Sequence, residues 1–265
     1  GLEIYFNGEV SSLKIYAGAM TEEQVKGAYA TAIPVLIFSW DFAGASALGN
    51  AVRDSVSDKY AQLVAVSEGS RTATGVVFSP SSSARLYFGA AAVSGPMTVE
   101  IVVKWNSLTT ASTLFSCGNG ANDIMSLSTL GSTNPGGLLW SVALGTKVHE
   151  LSLTSNGMEE SQWYHIVTTV AAETRAVYVN GERRVTVGGK NEPVFVSRSD
   201  GYISVDGTLN AEVSTLKIYS GAMADEDVVA AYEAIFPFLE FDWDFRASSG
   251  TTISDSVGGK DANVR

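Results

Sequence analysis

The sequence contains a single cysteine and few basic residues, and both shortages exclude classes of protein. Cys117 stands alone among 265 residues, so no internal disulfide can form, and a zinc site would need both His149 and His165 as further ligands. Seventeen Lys and Arg residues face 28 Asp and Glu residues, which gives a formal net charge of −11. Nucleic acid requires clustered cations that displace counterions from phosphates. We therefore expect no nucleic-acid partner.

Long apolar runs are also missing. No segment approaches the roughly 18 consecutive apolar residues that a membrane-spanning helix needs, so we expect no membrane insertion. Hydrophobic residues nevertheless make up 45% of the chain and aromatic residues 10%. This content is enough to fill a sizeable core, so the composition indicates a folded protein rather than a disordered one.

One segment of the chain occurs twice. Residues 7–42, NGEVSSLKIYAGAMTEEQVKGAYATAIPVLIFSWDF, align without gaps with residues 210–245, NAEVSTLKIYSGAMADEDVVAAYEAIFPFLEFDWDF, and 21 of 36 positions are identical. The match resumes with DSVSDKYAQL from Asp54 and DSVGGKDANV from Asp255. With a period of 203 residues, 38–240 hold one complete domain, 1–37 the C-terminal part of a preceding repeat, and 241–265 the N-terminal part of a following repeat. We expect a longer protein with the domain in tandem.

The segment between the two copies has the pattern of a β-sandwich. Short apolar or alternating stretches, separated by Gly, Ser and Asn, predict many antiparallel strands. Asn180-Gly181 favours a type I′ hairpin turn, because both central residues of that turn need positive φ. The repeated segment predicts one short helix in each copy. Thr21 can cap the first, near residues 21–32, whereas the second has Val228, Ala231 and Tyr232 on one face and only a weak cap in Ala224.

Three ordered segments carry a resemblance to a known family. They are WDF from Trp40 with DSV from Asp54, WYHIVTTVAAETRAVYVNGERR from Trp163, and EVSTLKIYSGAMADEDVVAAY from Glu212. Together they resemble the laminin-G-like domain of the concanavalin A-like lectin/glucanase superfamily. The resemblance implies an all-β, two-sheet antiparallel jelly-roll sandwich, with neighbouring first and last strands and a short C-terminal helix per repeat. Members differ in function, so function must be argued from the site.

Hydrolases of this superfamily carry their carboxylates in an alternating acidic motif, which residues 240–244, EFDWD, resemble. The equivalent residues of the complete unit, Ile37 to Asp41, keep only the last acid. Neither His149 nor His165 accompanies a serine-nucleophile motif. We therefore expect that the protein is not an enzyme.

Calcium is the cofactor that the resemblance implies, because laminin-G-like domains often hold a structural ion through loop oxygens. Asn119, Asn122 and Asp123 offer oxygen ligands in one turn, and Asp54 and Asp58 offer them in another. The alternative for each group is a solvated polar turn.

A glycan partner would need an aromatic surface with polar groups beside it. The candidate ligand-binding residues are Trp105, Trp140 and Tyr202. Each lies in or beside an apolar strand, so packing in the core is the alternative.

These observations favour a non-enzymatic, extracellular or cell-surface tandem-repeat module. We expect a structural or adhesive role in a stiff stalk, matrix or surface filament whose partners are neighbouring repeats of the same protein. Ile33, Val35, Phe236 and Phe238 flank the repeat boundary without a flexible spacer, and we expect them to pack between adjacent domains. The alternative is a carbohydrate-binding, lectin-like module that acts by multivalency.

Overall fold

The computed structural model describes residues 34–43, 51–57, 59–64, 71–80, 84–88, 95–119, 123–154, 157–171, 174–188 and 200–236, together with residues 19, 21, 252–253 and 262–263. One α-helix in the described residues, α1, spans Asp225–Ile235, and a 3-10 turn spans Gly131–Thr133. The strands are β1 (Val35–Asp41), β2 (Ala51–Arg53), β3 (Tyr60–Val64), β4 (Val76–Phe78), β5 (Arg85–Tyr87), β6 (Met97–Trp105), β7 (Thr113–Gly118), β8 (Ile124–Thr129), β9 (Leu138–Leu144), β10 (Lys147–Leu153), β11 (Trp163–Val170), β12 (Thr174–Val179), β13 (Glu182–Gly188), β14 (Asp200–Ile203), β15 (Ala211–Ser220), β16 (Thr252–Ile253) and β17 (Ala262–Asn263).

Two antiparallel sheets contain nearly all of these strands. In the described residues, the smaller sheet has the order β1-β15-β6-β11-β12-β13, with β4 also paired to β15, and the larger sheet has the order β10-β9-β8-β7-β14-β5-β3-β2. Strands β16 and β17 pair with each other. The inward faces of the two large sheets enclose one apolar core. This architecture confirms the predicted two-sheet antiparallel sandwich.

The first and last strands of the sandwich are neighbours, as predicted. Strand β1 pairs with β15 from Val35 opposite Ser220 to Asp41 opposite Thr215. The predicted hairpin is also present, because Asn180 and Gly181 join β12 to β13 with φ values of 52° and 77°. The predicted helix near residues 21–32 and the two terminal partial repeats lie largely outside the described residues.

A chain of aromatic rings crosses the core. Phe38 and Trp40 occupy alternate, inward-facing positions of β1, with ring centroids 5.4 Å apart. The ring centroids of Trp40 and Phe88 are 5.2 Å apart, those of Phe88 and Phe115 are 5.9 Å apart, and those of Phe115 and Trp140 are 6.5 Å apart. These contacts link β1 of the smaller sheet to β7 and β9 of the larger sheet, so they hold the sandwich together across its width.

Gly201 in β14 makes room for one of these rings. A Cβ atom at Gly201 would lie 1.8 Å from Cε2 of Phe88, far inside van der Waals contact. Because successive strand residues alternate, the flanking Asp200 and Tyr202 project to the outer face of the sheet. Phe88 therefore packs against the backbone on the inner side of the same short strand that carries Tyr202.

Helix α1 lies on the outer face of the smaller sheet. As predicted, Ala224 provides no capping side chain. Asp225 instead accepts a hydrogen bond from the Tyr178 hydroxyl at 2.8 Å and pairs with Arg183 at 3.1 Å. Val228 is fully buried and packs against β11 and β12 in a small second cluster. In the described part of the chain, no helix combines the length and the apolarity needed to cross a membrane.

Candidate functional site

The three aromatic candidates differ in their exposure to solvent. Trp105 and Trp140 are 0% exposed, because they occupy inward-facing positions of β6 and β9. Neither indole presents a face to solvent, so the suggestion that they bind a ligand is corrected to a role in the core. Tyr202 occupies an outward position of β14 and is half-buried.

Tyr202 forms an aromatic pair with a residue that the sequence analysis missed. Tyr87 in β5 is directly opposite Tyr202 in the sheet register, and the two ring centroids lie 5.0 Å apart at an interplanar angle of 40°. The alternation of Arg85, Leu86 and Tyr87, exposed, buried and half-buried, places Tyr87 on the outer face. In the sequence, the only signal for this placement is an apolar Leu86 between Arg85 and Tyr87. Three residues are too few to show which side chains face the core before the strand register is known.

A carboxylate lies beside the tyrosine pair. The Tyr87 hydroxyl donates a hydrogen bond to Oδ1 of Asp200 at 3.4 Å. Burial raises the pKa of Tyr87, and the neighbouring Asp200 and Tyr202 raise it further, so the phenol stays protonated at neutral pH. Asp200 itself is exposed. The pair therefore combines apolar ring surface with a hydroxyl donor and a carboxylate acceptor.

The tyrosine pair belongs to a row of side chains that crosses the larger sheet, which we call the tyrosine–serine row. Each residue of the row is paired with the next one across the sheet. The side chains alternate along each strand and those next to the row face the core, so the side chains of the row project outward. In spatial order from β3 to β10 the row consists of Gln62, Tyr87, Tyr202, Ser116, Ser126, Ser141 and Glu150.

Asp54, one of the calcium candidates, organises its own loop. Its carboxylate accepts hydrogen bonds from the backbone N–H groups of Ser39 at 2.6 Å, Val56 at 3.1 Å and Ser57 at 2.7 Å, and from the Ser57 hydroxyl. Asp54 is 0% exposed. Both oxygens are directed at hydrogen-bond donors, so this carboxylate does not fit a calcium ligand. Asp58 lies outside the described residues.

The second calcium candidate is the turn between β7 and β8. The Asn119 N–H donates to the Asp123 carbonyl at 3.2 Å, and the Gly145 N–H donates to Asp123 Oδ1 at 3.4 Å. Asn122 lies outside the described residues. Among the described residues no group of three His, Cys, Asp or Glu side chains converges on one point. Calcium binding at this turn stays a prediction.

A buried charged cluster lies on the outer face of the smaller sheet, close to α1. Glu100 is 0% exposed and accepts hydrogen bonds from Lys217 Nζ at 2.7 Å and from the Tyr219 hydroxyl at 2.6 Å. His165 Nε2 lies 3.4 Å from Glu100 Oε1, and its ring stacks on Tyr232 of the helix at 6.0 Å. Both Glu100 and His165 are closed to solvent, so the cluster ties the helix and three strands together rather than presenting a reactive group.

Opposing effects act on the pKa of Glu100. Burial raises it, but hydrogen bonds and charge from His165, Lys217 and Tyr219 outweigh burial and lower the pKa to about 2. Glu100 is therefore ionised throughout the physiological pH range. Burial and the Glu100 carboxylate in turn raise the pKa of Tyr219.

The residues predicted to pack between repeats have different environments. Val35, at the start of β1, is 57% exposed. Phe236 is half-buried and contacts the ring of Tyr232 at 5.4 Å within its own domain. Ile33 and Phe238 lie outside the described residues. The predicted inter-repeat contact therefore stays a prediction, with Val35 as an exposed apolar residue near the boundary.

Comparison with solved structures shows similar folds in binding domains and enzymes. The receptor-binding domain of botulinum neurotoxin mosaic serotype C/D is 15% identical, with a TM-score of 0.61, and the match covers 78% of this chain and 52% of that domain. This chain therefore spans about half the length of the neurotoxin domain.

A second similar structure is domain 4 of AbnA, an extracellular GH43 arabinanase from Geobacillus stearothermophilus, in complex with arabinotriose. It is 17% identical, with a TM-score of 0.60, and the match covers 74% of this chain and 98% of that domain. A Trypanosoma rangeli sialidase is 16% identical, with a TM-score of 0.57 and coverage of 76% and 33%. At these identities the likeness establishes the fold alone. Among curated proteins, none matches the sequence.

The sequence itself matches a family profile. Residues 74–229, more than half of the chain, match the laminin-G-type profile described as the concanavalin A-like lectin/glucanases superfamily. The matched range runs from the residues just before β4 through β15 and into α1, so it includes the tyrosine pair. The chain therefore belongs to the laminin-G-type family of the concanavalin A-like lectin/glucanases superfamily.

Proposed function

We propose that the protein is a non-enzymatic carbohydrate-binding module whose sugar-contacting surface is the Tyr87–Tyr202 pair. The observation that carries the proposal is the pair itself, which is half-buried on an outer sheet face with Asp200 beside it. The apolar face of a sugar ring packs against aromatic rings, and its hydroxyl groups need both donors and acceptors. The tyrosine hydroxyls and the Asp200 carboxylate supply these groups.

The similar structures support this proposal. The arabinanase domain, which matches over nearly its whole length, was solved with an arabinotriose ligand. The enzyme that contains it is described as extracellular, and we extend the proposal to an extracellular or cell-surface location. A binding module in tandem copies would gain avidity on a polymeric ligand.

The absence of catalysis is part of the proposal. The acidic pattern of residues 240–244 is reduced to Asp41 in the complete unit, whereas glycoside hydrolysis needs a pair of carboxylates. In the buried cluster, Glu100 and His165 are both closed to solvent. We expect no release of reducing sugar from β-glucans, galactans, arabinans or chitin. Reproducible release that a carboxylate substitution abolishes would contradict this part.

Binding is tested by isothermal titration against arabinan, galactan, β-glucan and chitin oligosaccharides. Tyr87→Ala and Tyr202→Ala should each weaken binding about tenfold to hundredfold, because each removes aromatic surface worth about 1.5–3 kcal/mol when covered by ligand. Trp163→Ala is the matched control, since Trp163 is a half-buried aromatic residue in β11 of the other sheet. If the control and the tyrosine variants lose affinity equally, or if no glycan binds, the proposal is wrong.

A second candidate function rests on the repeated sequence. Residues 7–42 and 210–245 are identical at 21 of 36 positions; β1 lies in the first copy and β15 in the second, and these two strands pair with each other. We propose that the same contacts recur in each unit of an array, which would build a stiff stalk or filament. Small-angle scattering on a two-repeat polypeptide should then give one fixed separation between domains. The double variant Phe236→Ser and Phe238→Ser should broaden that separation, whereas a broad distribution in the unaltered protein would leave flexible binding modules as the better account.

A further inference from the structure

We propose that each repeat of the array contacts the next one through two different surfaces of the sandwich, so that the repeats bind head to tail. This inference rests on the proposed array of repeats and specifies the surfaces that meet. The first, which we call the edge surface, consists of Val35 and Val56 beside the open edge of β1. The second, which we call the turn surface, consists of Tyr232 and Phe236 at the end of α1 and Gly181 in the β12–β13 turn.

The edge surface exposes two apolar side chains on one side of the domain. In the described part of the chain, β1 is the end strand of the smaller sheet, and its outer edge pairs with no other strand. The loop after β2 lies along this edge, because the Ser55 N–H donates to the Ser39 carbonyl at 2.9 Å and the Ser39 N–H donates to Asp54 at 2.6 Å. Val56 follows in this loop and is 47% exposed, and Val35 at the start of β1 is 57% exposed.

The turn surface lies toward the other side of the same sheet. Tyr232 packs on the β12–β13 turn, where a Cβ atom at Gly181 would lie 3.1 Å from Cδ1 of Tyr232. The half-buried Phe236 contacts the Tyr232 ring at 5.4 Å. From β1 to β12 the sheet makes four steps between strands, which is about 19 Å at about 4.8 Å per step. A single domain therefore cannot bring its own two surfaces into contact.

The spacing of the repeat brings the turn surface of one repeat to the edge surface of the next. With a period of 203 residues, Phe238 has in the following repeat the position that Val35 has in this one. Only Pro237 separates Phe238 from Phe236, so the Cα atoms of these two phenylalanines are at most about 7 Å apart. Proline also fixes its own φ and restricts the junction further. The first strand of the next repeat therefore begins beside the turn surface.

The two copies of the repeated sequence distinguish these surfaces from other exposed apolar residues. The boundary positions are apolar in both copies: Val35 and Phe238, Val56 and Val257, Phe236 and Ile33. The other two exposed apolar residues in the aligned segments have charged counterparts: Tyr60 and Asp261, Val229 and Lys26. Water tolerates an apolar or a charged residue at an exposed position, whereas the centre of an interface disfavours charge. The retained apolar character therefore favours a contact at the edge and turn surfaces.

A small contact is sufficient here, because the two surfaces are joined by the chain. Interfaces between separate molecules bury about 1,200 Å² or more, which three apolar side chains do not provide. A short linker raises the effective concentration of the two surfaces, so a weak contact can still form. Because the surfaces differ, each repeat offers one to its predecessor and the other to its successor, which extends the series without closing it.

The experiment uses two copies of residues 34–236 in series, so that the junction Phe236-Pro34-Val35 keeps the natural spacing. Each copy contains both large sheets and α1. Spin labels are placed at Glu182→Cys in the first copy and at Gln62→Cys in the second, both at exposed positions. Cys117 is buried and does not take the label. Pulsed electron paramagnetic resonance should give one narrow distance between the two labels.

Matched substitutions test the two surfaces separately. Phe236→Lys in the first copy, or Val56→Lys in the second, should broaden the distance distribution about twofold or more, because domains without a shared contact move independently. The controls introduce the same charge on the same elements. Val229→Lys in the first copy gives α1 the residue that the other helix segment has, and Tyr60→Lys in the second copy alters an exposed residue near Val56. Both controls should leave the distribution narrow.

Each outcome separates this inference from the proposed array. Thermal unfolding of the single repeat with each substitution distinguishes a lost contact from a lost fold, and Val56 is exposed in a loop, so its replacement preserves the fold. If both test variants keep the narrow distance, another surface holds the repeats, and this inference is wrong while the stiff array stands. Equal broadening by the controls also contradicts it. A broad distribution in the unaltered polypeptide refutes the inference and the stiff array together.

Discussion

The buried carboxylate of Glu100 makes a quantitative prediction about stability and pH. Its pKa is about 2 in the folded protein, against an ordinary value of 4.5 that applies when the chain is unfolded. The difference corresponds to about 3 kcal/mol at about 1.4 kcal/mol per pH unit. Between these two values the unfolded chain binds a proton that the folded chain does not. The stabilisation is therefore fully present above about pH 4.5 and is lost as the pH falls toward 2.

Substitution of Glu100 by Gln removes this titration while preserving the size of the side chain. We expect Glu100→Gln to be less stable than the wild-type protein at pH 7, and we expect the difference to shrink by about 3 kcal/mol as the pH approaches 2. Urea denaturation at a series of pH values measures both curves. Glu212, whose pKa is also lowered in the folded protein, is present in both proteins and cancels in the comparison. A difference in stability that stays constant from pH 7 to pH 2 would refute the argument.

Two further predictions concern glycine and aspartate positions. Gly201→Ala should destabilise the protein by about 1–3 kcal/mol in thermal unfolding, because the new methyl group must displace Phe88, and an unchanged midpoint would mean that the core has unsuspected space. Asp54→Ala should cost about 2–4 kcal/mol, because it leaves the N–H groups of Ser39 and Ser57 without their acceptor. If calcium raises the midpoint of the wild-type protein but not that of the Asp54→Ala variant, Asp54 is a metal ligand after all.

Much of the fold could be predicted because its signals are local. Asn180-Gly181 specifies its turn through backbone sterics alone, and the structure has that hairpin. Alternation in β1 predicts that Phe38 and Trp40 face the core, and both are buried. The helix could be predicted from the spacing of its apolar residues, and Val228 proved to be its buried contact with the sheet. In each case neighbouring residues in the sequence determine the outcome.

The candidate site could be predicted only in part, because it depends on contacts between distant strands. The sequence indicates Tyr202 as a candidate, but its partner Tyr87 is 115 positions away in the sequence, and only the register of β5 and β14 brings the two rings together. Trp105 and Trp140 look equally suitable as ligand-binding residues until the register places them inside. Asp54 is a further example, because a carboxylate followed by polar residues suggests a metal ligand. Only the structure shows that this carboxylate accepts hydrogen bonds from backbone N–H groups, including that of the distant Ser39.

The pairing of Val35 with Ser220 has a consequence for how the domain can be combined with other proteins. The chain enters the first strand and leaves the last strand at directly opposed positions of one ladder, about 5 Å apart. Helix α1 then carries the chain back across the outer face of the same sheet, and Tyr232 lies against Gly181 in the turn between β12 and β13. Because β1 and β13 are at opposite edges of this sheet, a host protein that carried the whole domain inside a surface loop would have to bridge the width of the sheet. An insertion that ended at Ser220 would avoid this span but would leave out the helix and expose the sheet surface that Val228 covers.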